Sequence, residues 1–184
     1  MNAAAGSVEE DEGVKEAFEE YLAHYPQGRH VATVRYTLGE ISFNAGEYQR
    51  AYDLFREIEA SYPGTEAATR AAEALPELRE ALAYKAYGVA MEIFNRAVEE
   101  DDKAGLREAI PRLDAVWKEY PETSSGIGAM VNVAVSYQKL EEWKRAVDAF
   151  GVIIAEGERG NEEVTPNVLA FCERRRGTIA RKHL

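Results

Sequence analysis

Apolar residues recur along this chain at three- and four-residue intervals, and no segment sustains the alternation a strand requires. The pattern predicts helices throughout. Ser7, with Glu10 three residues on, has the form of a capping box and opens a first helix that runs to about Tyr25. Val14, Phe18, Tyr21 and Leu22 share one face of it. Pro26 and Gly28 stop that helix, because proline disfavours helical geometry in the residue before it. A second helix is expected over about His30 to Ala45, with Gly46 in the turn, and a third from Glu47 to Ser61 with Ala51, Leu54, Phe55 and Ile58 on its stripe.

From Thr65 to Asp101 helical character persists for an unusual length, and Pro76 is expected to divide it near Leu75 into a short and a long helix. Asp101 and Asp102 can cap the next helix, which reaches Tyr120 with a bend expected at Pro111. The remaining helices fall at about 123–139, 141–156 and 166–182. Thr165 as N-cap and Pro166 at the first helical position give the last a strong start.

Punctuation along the chain is regular. Tyr25-Pro26, Tyr62-Pro63 and Tyr120-Pro121 each close an amphipathic stretch, and the first two prolines stand 37 residues apart. The next interval is 58 residues, and a copy without its proline, Gly157-Glu158, follows 37 later. A fixed period of this size marks stacked repeats. The 58-residue interval holds 21 residues more than the period needs, which predicts an extra helical element near residues 64–83.

The segment from Ala32 to Pro63 resembles a tetratricopeptide repeat. Leu38, Gly39, Gly46, Tyr48, Ala51, Phe55, Ile58 and Pro63 fall on the family's signature positions, and Arg35, with Tyr36 beside it, replaces the first signature aromatic. Gly39 and Ala51 are small where the two helices of a hairpin come closest, and Leu38, Phe55 and Ile58 are expected to fill the space between hairpins. A second match covers Ile127 to Glu158 through Val133, Ala134, Tyr137, Trp143, Ala146, Phe150 and Ile153, departing at Glu141, where glycine is usual, and at Glu158, where proline is usual. A weaker third covers Ala90 to Pro121 through Ala97, Leu106, Ala109, Leu113 and Val116. Residues 14–26 look like the second helix of a repeat whose first is missing, which suggests a piece of a longer array. Within the superfamily, the F-x-x-[YI]-x-x-x-Y-P ending joined to L-G-E-x-x-F-x-x-G-x-Y is similar to a bacterial envelope subgroup that includes the Tol–Pal coordinator and outer-membrane assembly lipoproteins. This resemblance implies partner docking in the cell envelope, and it favours a periplasmic or envelope location over a cytoplasmic one.

The fold expected is therefore all-α, a right-handed α-α superhelix of about eight helices in a single domain over residues 1–184. Its parts would be an orphan half-repeat at 1–26, a clear repeat at 27–63, a degenerate repeat with a helical insertion at 64–121, a repeat at 122–158 and a C-terminal helix at 164–184.

Composition narrows the function classes. The chain is 46% hydrophobic and 30% charged, which excludes a disordered or fibrous protein, and no apolar run approaches the roughly 20 residues of a membrane span. The start, MNAAAGSVEEDEG, does not read as a signal peptide. Net charge is −11, yet the last twelve residues, ERRRGTIARKHL, hold five Arg or Lys against one Glu, leaving −15 on the rest. Such an acidic body repels phosphate backbones, so nucleic acid is not expected as its main ligand. The basic end reads as a solvated helix C-terminus, with tethering to membrane or nucleic acid through residues 173–184 as the alternative.

Catalytic chemistry finds little footing. His24, His30 and His183 are the only histidines, and none has a second ligand at zinc-site spacing. Cys172, the only cysteine, stands near Arg174 and Arg175, which would lower a thiol pKa; without a histidine nearby in sequence it reads as a plain core thiol. The acidic clusters Glu9–Glu12 and Glu99–Asp102 do not match a calcium loop, and Gly126-Ile127-Gly128 is too short for a phosphate loop. No enzyme activity, cofactor or metal is expected.

In the resembled family the first helix of each hairpin lines the concave face. Carried over, that face comprises Thr33, Tyr36, Glu40 and Phe43 from the clear repeat, Met91, Phe94 and Val98 from the degenerate one, and Val131, Val135 and Gln138 from the last. The partner expected is a helix or extended peptide held in an apolar groove. Tyr36 and Glu40 stand where carboxylate-clamp relatives carry Lys and Asn, so such a clamp is not expected; Asn132 alone matches a clamp position. The alternatives are a regulatory or targeting arm of a larger enzyme or signalling protein, and self-association through exposed apolar faces.

Overall fold

The computed structural model describes residues 3–184, with side chains from Glu12 onward. Among them the chain forms eight α-helices and no strand: α1 (Ala3–His24), α2 (Val31–Asn44), α3 (Tyr48–Ser61), α4 (Glu66–Glu99), α5 (Lys103–Glu119), α6 (Ser124–Lys139), α7 (Trp143–Glu158) and α8 (Pro166–His183). The fold class is all-α, with helical hairpins of the tetratricopeptide type. The chain divides into two compact units, Met1–Leu82 and Ala83–Leu184, and α4 runs from the first into the second.

Two kinds of turn recur, each dictated by local sequence. Within hairpins, the chain leaves a helix through one residue of positive φ: Gly46 (76°), Asp101 (52°) and Glu141 (61°). After Gly46 the Glu47 N–H reaches back to Ser42 O, and after Glu141 the Glu142 N–H reaches back to Tyr137 O, the six-to-one bond of a Schellman ending. Between hairpins, Tyr-Pro-x-Thr does the work. Thr65 and Thr123 each donate a hydroxyl hydrogen bond to the carbonyl of Tyr62 or Tyr120, at 2.8 Å. The same oxygens accept the N–H of Ala68 (3.2 Å) and Gly126 (3.0 Å), capping α4 and α6. Proline ends one helix and threonine starts the next.

The core of the first unit gathers Tyr36, Ala51, Phe55, Ile58, Ala71 and Leu78 from α2, α3 and α4. The Phe55 ring stacks on Tyr36 with centroids 5.1 Å apart and fills the space over Gly39, where an added Cβ would meet the ring at 2.2 Å. Phe55 thus seals the inside of the α2–α3 hairpin as well as its contact with α4, whereas the pattern assigned it only to the space between hairpins. Arg35, the departure from the signature aromatic, latches α2 to the Tyr-Pro turn: it donates to the Tyr62 hydroxyl (2.5 Å) and pairs with Glu57 (2.9 Å). In the second unit Leu106, Leu113, Ala134, Phe150, Ile153 and Cys172 are among the deeply buried positions.

Three expectations are corrected. The backbone is already helical at Ala3, four residues before Ser7; the side chains of Ser7 and Glu10 and the Glu9–Asp11 part of the acidic cluster lie outside those described. Pro76 does not divide its segment: α4 is one helix of 34 residues. Pro76 faces solvent, so the Ala72 carbonyl it leaves without an amide partner lies on the wet side. Meanwhile Ala71, Leu75 and Leu78 hold the buried side of the helix on both flanks. The residues surplus to the repeat period therefore lengthen a helix instead of forming a separate one. Pro111 is tolerated inside α5 for the same reason, standing exposed between buried Ala109 and Leu113.

Candidate functional site

In the first unit α2, α3 and α4 enclose a cavity of about 200 Å³. Tyr36, Phe43 and Phe55 supply an aromatic wall, Ala74 and Leu78 of α4 face it, and Glu40, Asn44 and Glu77 are the polar part of the lining. The helical register explains the grouping. Tyr36, Glu40 and Phe43 succeed one another at four- and three-residue steps along α2, and Glu77 and Leu78 stand three and four residues after Ala74 along α4.

Charge at this site is arranged around Tyr36. The Arg70 guanidinium lies over the Tyr36 ring at 4.3 Å and pairs with Glu40 at 3.2 Å. Burial pushes the Tyr36 hydroxyl above its ordinary pKa, and the Glu40 carboxylate adds to the shift. With Glu40 neutralised by Arg70, Glu77 is the carboxylate of the lining without a basic partner among the described residues. The groove therefore suits an apolar side chain next to a neutral or basic group, and disfavours a free carboxylate.

Of the ten residues assigned from the sequence, four belong to the first unit and six to the second. Tyr36, Glu40 and Phe43 line the α2/α4 cavity, although Tyr36 is 8% exposed and so is part of the core as well. Thr33 is exposed, one turn earlier on α2, and outside the lining. In the second unit Phe94 is buried, while Met91, Val98, Val131 and Val135 are half-buried. Gln138 lines a different cavity, between α6 and α8. The clamp-like Asn132 is already engaged: its amide donates to the Tyr87 hydroxyl at 2.7 Å and lies 3.1 Å from Met91 Sδ. Gly128 leaves room for that Tyr87 ring, whose hydroxyl pKa burial raises.

Sequence reasoning missed the α4 wall, Ala74, Glu77 and Leu78. Their three- and four-residue spacing carried the signal, but dividing the helix at Pro76 cut the stripe. The candidates set aside earlier resolve structurally. Cys172 is fully buried, and burial pushes its thiol up to about 11, with the Glu173 carboxylate adding to the shift. His24 Nδ1 lies 2.9 Å from Glu20 O, and His30 Nε2 accepts a hydrogen bond from Arg29 Nε at 2.8 Å. Among the described residues no group of three or more His, Cys, Asp or Glu side chains is gathered as a metal site, and no helix is long and apolar enough to cross a membrane.

The family model described as YfiO, outer membrane lipoprotein, matches residues 4–150. No curated protein matches the chain significantly.

Proposed function

The chain belongs to the YfiO outer membrane lipoprotein family, and from that premise we propose that it is a protein-interaction scaffold of the bacterial envelope whose α2/α4 groove receives a peptide segment of a partner protein. The observation that carries this reading is the aromatic cavity bounded by Tyr36, Phe43 and Phe55 with Glu40 and Glu77 in its lining. A preformed apolar pocket with a few placed polar groups reduces the ordering cost of binding. The segment it suits carries an apolar anchor beside a neutral or basic residue, which sets it apart from the carboxylate-clamp relatives.

Ala74→Trp tests the reading by filling the cavity while removing no existing contact. The variant is expected to keep its melting temperature within a few degrees and to lose capture of the partner that the parent chain retains from solubilised envelope extract. Unchanged capture by a folded Ala74→Trp chain would move the binding surface elsewhere. On this reading the protein is a positioning element, not a catalyst.

A further inference from the structure

The cavity between α6 and α8 has about 380 Å³ and a lining unlike that of the α2/α4 groove: Gln138, Phe171, Arg174, Arg175, Thr178 and Ile179. Its construction nevertheless follows the same backbone positions. Phe43 and Gln138 stand at the same point of their turns, each accepting a hydrogen bond from the positive-φ residue that follows, Gly46 (2.9 Å) or Glu141 (3.1 Å). Ala74 and Arg174 each stand nine residues after a capping threonine, Thr65 or Thr165, and Leu78 and Thr178 thirteen after. One backbone device thus carries two different chemistries.

Arg174 and Arg175 are exposed, and among the described residues neither has a carboxylate within ion-pair distance. The Arg175 guanidinium lies over the Phe171 ring at 5.3 Å, which orients it across the apolar wall. Helix α8 ends a chain of net charge −11 with a run of basic residues, so these cations are left free in a molecule rich in carboxylates. All the α8 residues of the lining lie beyond the span 4–150 matched by the family model.

We infer that the α6/α8 cavity is a docking site for an acidic segment of a partner protein, Arg174 and Arg175 taking its carboxylates and Phe171 and Ile179 an adjoining apolar side chain. Guanidinium groups pair with carboxylates in planar, two-pronged geometry, and the flanking apolar wall raises the strength of that pairing by excluding water. Charge complementarity selects the partner class. A lipid surface would require a broad apolar face beside the arginines, and no large hydrophobic of α8 stands well exposed; only Leu184, just after the helix, does. A phosphate backbone carries charge far beyond the reach of two arginines and would meet the field of the acidic body along its length, whereas a short acidic segment needs only the carboxylates that Arg174 and Arg175 take. The inference rests on the scaffold reading but uses a separate surface, so the two fail separately: blocking Ala74 leaves this site intact.

The test is fluorescence anisotropy on the full chain with a labelled decapeptide alternating Glu and Leu, and its counterpart alternating Gln and Leu. The Glu peptide is expected to bind about tenfold or more tightly than the Gln peptide, with affinity falling as salt rises. The double variant Arg174→Gln, Arg175→Gln should lose about tenfold, while Arg181→Gln, Lys182→Gln, in the last turn and outside the cavity, should stay close to the parent. Both pairs are exposed, and thermal melts would verify that each variant folds. Equal loss in the two double variants would reduce the effect to diffuse charge and overturn the inference. So would the absence of measurable binding, a failure to distinguish the two peptides, or tighter binding of phosphatidylserine vesicles or a single-stranded oligonucleotide through the same arginines.

Discussion

The α2–α3 hairpin and the α6–α7 hairpin make the same turn with different residues, and the difference shows which parts of a repeat are physically constrained. Gly46 takes its φ of 76° freely, because glycine has no Cβ to clash in the left-handed region. Glu141 adopts 61° at the same point and carries the cost a side chain incurs there. Gly39 is obligatory, with Phe55 2.2 Å from where a Cβ would sit, while the corresponding Ala134 keeps its methyl group fully buried. Backbone and core therefore tolerate small departures, whereas the residues that line the first cavity meet unlike counterparts in the second hairpin: Tyr36 against Val131, Glu40 against Val135, Phe43 against Gln138. The repeat conserves its scaffold geometry and spends its variation on chemistry.

Three pairs of substitutions test this contrast. The largest effect is expected from the two buried phenylalanines. Phe55→Ala and Phe150→Ala should each destabilise by about 3–5 kcal/mol in urea titrations, because both rings are fully enclosed. A loss below about 1 kcal/mol for Phe55→Ala would reject its placement between Tyr36 and Gly39. Next comes Gly39→Ala, expected to cost about 1–3 kcal/mol by overpacking against Phe55. Ala134→Gly in the other hairpin should cost only about 1 kcal/mol, through helix propensity and a lost methyl contact. Equal costs would mean that the two hairpins close with the same clearance.

The smallest pair concerns the turns. Glu141→Gly should raise stability by about 1 kcal/mol, and Gly46→Ala should lower it by a similar amount. The Lys103–Glu141 ion pair lost in the first variant is exposed on both sides and contributes little. Differential scanning calorimetry checks both signs. A destabilised Glu141→Gly would show that the ion pair, not backbone strain, governs that turn.

Helix placement was legible in the sequence because its determinants are local. The Tyr-Pro stops, the Asp102 and Thr165 caps and the three- and four-residue stripes each act within a few residues, and the helices end where these signals put them. Pro76 misled for a tertiary reason. Whether an interior proline breaks a helix depends on which way its orphaned carbonyl faces and on what anchors the flanking turns, neither of which is written at residues 75–77. The candidate site was partly legible. Tyr36, Glu40 and Phe43 were found through periodicity and resemblance, while the α4 wall required knowing that one helix spans the proline. Arg174 and Arg175 stood in a basic run that reads as a helix end; only their position beside Phe171 and Gln138 distinguishes them from Arg181 and Lys182.

The docking function proposed for the α2/α4 groove rests on the family match and the aromatic cavity. The measurement that reaches this claim most directly is photo-cross-linking from p-benzoylphenylalanine placed at Asn44, at the exposed edge of the cavity, against the same probe at Lys118, exposed on α5 and outside both cavities. One partner protein is expected to be captured from Asn44 and not from Lys118, and Ala74→Trp is expected to abolish the product. Capture from Lys118 with none from Asn44, or a product at Asn44 that survives Ala74→Trp, would contradict the claim.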